Sequence, residues 1–448
     1  MARLRPPEPV EPWRGVRDAT RLGPEPAQVA PPSTGGPDQG AAEDWTEVTS
    51  AFAAVERAAP SGDCLNLNVW TPDPGASGLP VMVWIEGGMF ELSSTAAYDG
   101  SRFARDGVVC IVINWRSGAE GFLYLGDGIA NLGLLDHLAA LQWVRENIAA
   151  FGGDPGNVTV FGESAGATSI GMLLSMPRAV GLFRRAILQS GAAHQVTPAA
   201  DALRIAGYLA GKLGVPRTRA AIVGAGVERL LAAQAELKAE LMEKIAAGSG
   251  GSVDLIVGTN ADDWRLWLVA SGAIGGITDE ILSGPVRSYG HQPLQAFGLI
   301  AGQALPAYRE RYPTAAPGEL LAVVQPDWWM RIPAIRLADA HASAAAGTYM
   351  YEFHWASPGP GAVHALEIPF VLDTATPDAP LFGPMLGEDP PQGLAQTMHA
   401  AWVAFARTGD PGWPRYEPGR RATMRFDTVS RVAEDPRAWE RALWTGTR

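Results

Sequence analysis

Cysteine is nearly absent: Cys64 and Cys110 are the only two in 448 residues. Two thiols cannot make a disulfide framework, and their spacing fits no metal-ligand pattern. A single bridge between them stays open, but the main expectation is two buried thiols in a reducing compartment. Long apolar runs are missing as well. Runs such as Val81–Ile85 and Val108–Ile113 have strand length and fall far short of the ~20 residues a membrane span needs. The opening stretch Met1–Pro12 is rich in proline and charge and has no apolar core of the secretory kind, so a cytoplasmic protein is expected. Lysine is scarce, at 3 against 32 arginines, and basic residues as a whole are outnumbered 47 to 35. The resulting charge of −12 argues against wrapping nucleic acid or binding an anionic membrane surface. The expected partners are therefore a small molecule and, at most, a few copies of the chain itself, as a monomer or small homo-oligomer.

What is present points to a packed enzyme-sized fold. Hydrophobic residues make up 47 %, enough for a sizeable core, and whole-chain disorder is excluded. Residues 1–62 read as irregular coil, from PPEPVEPW to GPEPAQVAPPSTGGPDQG, wrapped over a core rather than folded alone. From Cys64 onward, short strands alternate with helical stretches. LNLNVW alternates with period two, whereas VMVWI and VVCIVI are continuous apolar runs, as in strands buried on both faces. VTVF at 158–161, DLIVGT at 254–259 and TYMYEFHW at 348–355 add three more. Leu134, Leu138, Leu141, Val144 and Ile148 mark one helical face that stops at Gly152-Gly153-Asp154-Pro155. The alanine-rich segments 200–248 and 328–346 read as packing helices, and AGSGGS at 247–252 as a surface loop. Interleaved strands and helices imply a mostly parallel sheet covered on both faces, within one domain spanning 1–448.

The chemistry concentrates in one string, VTVFGESAG at 158–166. A strand, Gly-x-Ser-x-Gly and a helix make a nucleophile elbow: the serine sits on a sharp turn, and side chains two positions either side would collide with it. Ser164 also lies at a helix N-terminus, which favours nearby negative charge. A serine hydroxyl needs a general base, and the base needs an orienting carboxylate. In such folds the chain order is nucleophile, acid, base. Asp262 and Asp263 follow the strand DLIVGT, where the acid belongs. Of the histidines beyond them, His354 falls inside the strand-like YMYEFHW and His399 in the helical LAQTMHAAWVAF, so both read as packing or surface. His364 follows a strand through the loop SPGPGAV and is the best base. The backbone N–H of Ala165 supplies one oxyanion donor, and the Gly87-Gly88 loop after VMVWI supplies others.

These segments resemble the type-B carboxylesterase family of α/β-hydrolases, which includes the cholinesterases. The resemblance runs through nearly the whole chain: DCLNLNVWTP at 63–72, VMVWIEGGMF at 81–90, NWRSGAEGF at 114–122, the block 131–167, LFRRAILQSG at 182–191, VGTNADD at 257–263, GAVHALEIPF at 361–370 and AWVAFARTGDPGWP at 401–414. It implies an α/β-hydrolase fold whose helical insertions form the pocket wall. It also implies Ser164 as nucleophile, His364 as base, Asp263 as acid, and Gly88, Met89 and Ala165 as oxyanion donors. Glu86, Glu163 and Ser190 would surround them, and no metal or organic cofactor is implied.

The departures from the family pattern carry expectations of their own. Aspartate stands at 263 where the family usually has glutamate, so its loop must approach His364 more closely, with Asp262 as a possible substitute. Met89 keeps its N–H, while its side chain narrows the acyl side. Glu86 replaces an aromatic or histidine. A carboxylate ~6 Å from a developing oxyanion would cost roughly 2–3 kcal/mol at an effective dielectric near 20 unless it is paired, protonated or turned aside. Relative to the family pattern an extra N-terminal piece is absent and the stretches between Ser164 and Asp263 and just before His364 are shorter, which implies a more open pocket or a lower stability. The family cysteine at Cys64 bridges in secreted members; no cysteine precedes it here, in line with a cytoplasmic form.

The expected reaction is ester hydrolysis through an acyl-enzyme, with an ester and water as the only partners. Amide or carbamate hydrolysis would use the same groups and differ only in protonating a poorer leaving group. A non-catalytic binding protein on the same shell, of the neuroligin kind, would have lost the serine that is present here.

Overall fold

The computed structural model describes residues 3–10, 13–28, 61–88, 90, 93–192, 199–238, 253–270, 273–279, 282, 304–342, 346–379 and 382–445. The chain divides into two compact units, the first made of 1–30, 56–186 and 194–249, the second of 31–55, 187–193 and 250–448.

In the first unit, β1 (Leu67–Trp70), β2 (Leu79–Ile85), β3 (Val109–Ile113) and β4 (Gly153–Glu163) lie in the order β1-β3-β2-β4. Only the β1–β3 junction is antiparallel. Val81–Ile85 and all of β3 are buried without alternation, as expected of strands covered on both faces. The five apolar residues of the sequence-read helical face are buried in α1 (Leu132–Asn147) and the 3₁₀ turn Ile148–Phe151 that continues it. Gly152, at φ 84°, caps that turn in the left-handed conformation. Periodicity did not reveal that α1 also buries polar groups. Asp136 is held by Arg116 at 2.5 and 2.8 Å. His137 is fully buried, makes no hydrogen bond among the described residues, and meets Trp115 edge-on at 5.0 Å. Burial pushes its pKa down to about 3.

Past β4, the helix α2 (Ala165–Leu174) follows Ser164 directly, and α3 (Ala199–Leu213) and α4 (Val227–Lys238) come later. Ala206, Leu209, Ala210, Leu213, Leu230 and Ala233 pack into a second core with Leu4, so the alanine-rich stretch 200–248 is packing over its described part, while 239–248 lie outside the described residues. The described part of the N-terminal coil has no helix or strand. It is anchored through Leu4, the Arg3–Glu120 ion pair and the bond from Arg219 to the Leu4 carbonyl.

The strand β5 (Arg185–Gln189) carries the chain from the first unit into the second. In the second unit β6 (Asp254–Asn260), β7 (Thr348–Phe353), β8 (Ala422–Phe426) and β9 (Arg431–Glu434) run in that order, parallel except for β8–β9. The sequence reading found six of these nine strands. β5 escaped because only three apolar residues stand between Arg185 and Gln189, β8 because Thr423 and Arg425 interrupt its apolar residues, and β9 because its residues are mostly exposed. β7 is shorter than read and ends at Phe353, which leaves His354 outside it. The helix α5 (Pro317–Pro326) continues through a π-helical turn, Asp327–Arg331, into α6 (Ile332–His341). Pro333 has no N–H to offer the preceding turn, which suits the looser π ladder. The long helix α7 (Gln392–Thr408) contains His399, buried with Nδ1 2.8 Å from the Val371 carbonyl, a packing role as expected. The string 247–252 lies outside the described residues. Within the two units four of the six strand junctions described are parallel and helices separate the strands, so both units are α/β. Among the described residues no helix is long and apolar enough to cross a membrane, and both cysteines are free and buried.

Candidate active site

In the first unit, Ser164 is the hinge between β4 and α2, with φ 53° and ψ −117°. A non-glycine residue at such angles is strained and persists only where its surroundings over-determine it. The surroundings here are backbone. A Cβ on Gly162 would sit 2.4 Å from the Ile85 carbonyl oxygen, and one on Gly166 only 1.9 Å from it. β2 therefore passes directly against the elbow, with Ile85 paired to Gly162 in register. The residues that follow, Glu86 and Gly87, continue beside Glu163 and Ser164. A Cβ on Gly87 would meet Glu163 Oε2 at 2.7 Å and Ser164 Cβ at 3.1 Å, so the glycine lets the loop touch Ser164. Gly88 has φ 122°. Phe90, with φ 60°, bonds the Gly118 N–H through its carbonyl at 2.5 Å and packs its ring on Phe122 at 5.2 Å. Ala165 is buried and opens α2, where the first N–H groups have no intrahelical partner. Met89 lies outside the described residues. Glu86 and Glu163 are both buried, and Glu86 Oε1 accepts a bond from the Ser93 hydroxyl.

The second unit brings a histidine and an aspartate together. His364 Nδ1 is 2.8 Å from Asp263 Oδ1, with both side chains buried. Asp263 Oδ2 accepts the Asn260 N–H at 2.9 Å, so the carboxylate is fixed at both oxygens. Asp262 is no substitute. Its Oδ2 accepts the Ala362 N–H at 3.0 Å and ties down the histidine loop instead. With Asp263 Oδ1 as acceptor, the histidine carries a proton on Nδ1 and presents Nε2 on its other side. Trp267 lies against the His364 ring at 4.8 Å and also touches Trp264, which stacks on Trp329 at 5.6 Å. Ser190, φ 47°, is buried just after β5 and bonds the Gly258 carbonyl through its N–H.

The structure adds residues that the sequence did not single out. The Asn260 amide donates to the Val363 carbonyl at 2.7 Å and to Glu367 Oε2 at 2.6 Å, clasping the acid turn to the histidine turn. Gln189 reaches Glu367 and accepts from the Trp402 indole at 3.1 Å. Arg331, buried in the π-helical turn, donates to the Ala261 carbonyl at 2.8 Å and pairs with Asp327, which also accepts the Tyr308 hydroxyl at 2.5 Å. Behind it, Glu352 is held by Arg437 at 2.5 Å and by Arg425 and His354, each at 3.0 Å. Burial alone would raise the Glu352 carboxyl; Arg437, the His354 bond and Arg331 outweigh it and hold it well below its ordinary value. A lone buried arginine or asparagine has no local pattern, so only its spatial neighbours reveal it.

Comparison with known proteins follows the same lines. The model of the carboxylesterase family matches residues 1–249 and 243–444. The para-nitrobenzyl esterase of Bacillus subtilis (strain 168) is 33 % identical over 479 residues, covering 98 % of this chain and 91 % of the relative. The fumonisin B1 esterase of Sphingopyxis macrogoltabida is 33 % identical over 467 residues, covering 93 % and 78 %. Among solved structures, the Geobacillus stearothermophilus carboxylesterase at pH 6.2 superimposes with a TM-score of 0.82 at 34 % identity, over 99 % of this chain and 92 % of that one.

Proposed function

The chain belongs to the carboxylesterase family of α/β-hydrolases and is a carboxylic ester hydrolase; from that premise we propose that Ser164, His364 and Asp263 are its catalytic triad. His364, with Nδ1–H held by Asp263, takes the Ser164 proton at Nε2 as the hydroxyl oxygen attacks the ester carbonyl. The oxyanion is received by backbone N–H groups of Gly87, Gly88, Met89 and Ala165. His364 then returns the proton to the leaving alcohol. Water, deprotonated by the same nitrogen, releases the carboxylic acid from Ser164. The cycle calls for no cofactor.

The observation that carries this reading is the backbone of Ser164: φ 53° and ψ −117°, with backbone carbonyl filling the space a Cβ would need at 162 and 166. Strain of this kind concentrates at functional sites. Two free, buried cysteines support a reducing, cytoplasmic setting. The test is p-nitrophenol release from short-chain p-nitrophenyl esters. Wild type is expected to show turnover that Ser164→Ala lowers by about 10⁴-fold or more. Undiminished turnover in the folded variant would refute Ser164 as nucleophile.

A further inference from the structure

Glu86 sets an electrostatic problem for this site. It immediately precedes Gly87, whose backbone lies within contact of Ser164, and its side chain is 1 % exposed, so solvent screens its charge little. An unrestrained carboxylate there opposes negative charge growing on the substrate carbonyl. The surroundings of Glu86 supply a restraint built from a distant part of the chain.

The Ser93 hydroxyl donates to Glu86 Oε1. Ser93 is itself buried, and its backbone is gripped at both polar atoms by one side chain. Its N–H donates to Gln28 Oε1 at 3.0 Å, and its carbonyl accepts from Gln28 Nε2 at 2.8 Å. This amide pair has the form of a strand pairing, made by a residue 65 positions away. Gln28 also donates to Glu25 Oε2 at 3.2 Å, and the other Glu25 oxygen accepts the Ser94 hydroxyl. The segment is tied down further by Ser61 N–H on the Glu25 carbonyl at 3.0 Å and by the Asn66 amide on the Pro24 carbonyl at 2.8 Å.

We propose that Gln28 and Ser93 are positioning residues that hold the Glu86 carboxylate aside from the oxyanion. The proposal rests on Gly87–Gly88 serving as oxyanion loop. It gives the N-terminal coil a part in the reaction: the coil fixes Ser93, and Ser93 fixes the charge. The restraint acts on charge, so its importance disappears when the charge does.

The test is a cycle of variants, S93A, E86Q and S93A/E86Q, with S93T and Q28A, assayed on p-nitrophenyl butyrate and checked for folding by thermal melting. S93A is expected to lower kcat about tenfold with KM within about twofold, the size of one poorly screened charge near the reacting atoms. Because it keeps the hydroxyl, S93T should stay near wild type, and Q28A should fall between the two. In the E86Q background, Ser93→Ala should change nothing further. Affinity for a trifluoromethyl ketone, which mimics the tetrahedral oxyanion, should fall in step with kcat. An S93A enzyme as fast as wild type overturns the proposal, as does a tenfold loss of the same size whether residue 86 is Glu or Gln. If wild type itself fails to turn over the ester, or Ser164→Ala does not abolish turnover, the underlying reading fails instead, a result the cycle keeps separate.

Discussion

At Ser164 the geometry is set within five residues of chain and one neighbouring strand, whereas Asp263 and His364 stand 101 residues apart and meet because a relay of side-chain bonds ties their turns together. The first region is shaped by repulsion. Gly162 and Gly166 are glycines because the Ile85 carbonyl occupies the space of a Cβ, and Ser164 takes its unusual angles because nothing else fits. The second is shaped by attraction: Asn260, Asp262 and Arg331 each bond a backbone group across a gap between turns, and Glu367 accepts the Asn260 amide. Repulsion between backbone atoms is steep and tolerates almost no substitution. A hydrogen-bond relay degrades by degrees, since each bond contributes about 0.5–1.5 kcal/mol net and somewhat more when charged.

The sharpest way to separate the two regions is at the acid pair. Asp263→Asn is expected to lower kcat by about 10⁴-fold while leaving the melting temperature within a few degrees, because the amide keeps the shape but loses the charge that fixes the tautomer. Asp262→Asn, one residue earlier, keeps an acceptor for the Ala362 N–H and is expected to stay within about threefold. Equal losses in the two variants would break the distinction between acid and clasp.

Gly166→Ala probes the repulsive region. A Cβ 1.9 Å from a backbone oxygen forces the elbow or β2 to move, so the expected result is about 4 kcal/mol less stability in urea unfolding, at the severe end for a single methyl. A fully stable Gly166→Ala enzyme would mean that the close approach of β2 does not shape the elbow.

Arg331→Met should fall between these. It leaves Asp327 without its cation and frees the Ala261 carbonyl, with about 3 kcal/mol of destabilisation expected from breaking a buried pair. The accompanying fall in kcat should be about 10- to 100-fold with little change in KM, since positioning of Asp263 is disturbed and not the substrate surface. A stability loss with kcat untouched would confine Arg331 to the scaffold.

The smallest expected effect contrasts the acid sensitivity of the two units. In the fold His137 takes a proton only at about 3, against 6.5 ordinarily. The unfolded chain therefore binds more protons between those values, and stability declines as pH falls below 6.5, by up to ~1.4 kcal/mol per pH unit. Glu352 has the opposite chemistry and the same sign. Its carboxyl is depressed, so its stabilisation is present above the ordinary value of 4.5 and is lost as pH falls toward the folded value. His137→Leu should flatten the slope of unfolding free energy between pH 6.5 and 5 and leave only the Glu352 part of the loss below 4.5. An unchanged slope in that upper window would assign it to other groups.

Legibility in the sequence followed the same division. The elbow, the continuous strands β2 and β3 and the face of α1 were readable because their causes are local: a steric rule at two glycines, a run of apolar residues, a 3.6-residue period. His364 and Asp263 were readable from chain order, and family resemblance favoured Asp263, but Asp262 stayed open until the two carboxylates were seen facing different partners. β5 and β9 were missed because the first is bracketed by polar residues and the second lies mostly exposed, so neither carries the apolar pattern of a buried strand. Glu86 was visible as an anomaly, while its contact with Ser93 depends on a glutamine in the N-terminal coil.

The proposed nucleophile Ser164, the alternation of strands and helices and the strained turn were legible in the residues themselves, because each rests on interactions between residues a few positions apart. The folded chain set which aspartate bonds the histidine, which arginine meets its turn and which distant side chain grips Ser93 beside Glu86. Those outcomes depend on hydrogen bonds and buried charges whose partners lie tens to hundreds of residues away, where no periodicity or motif records them.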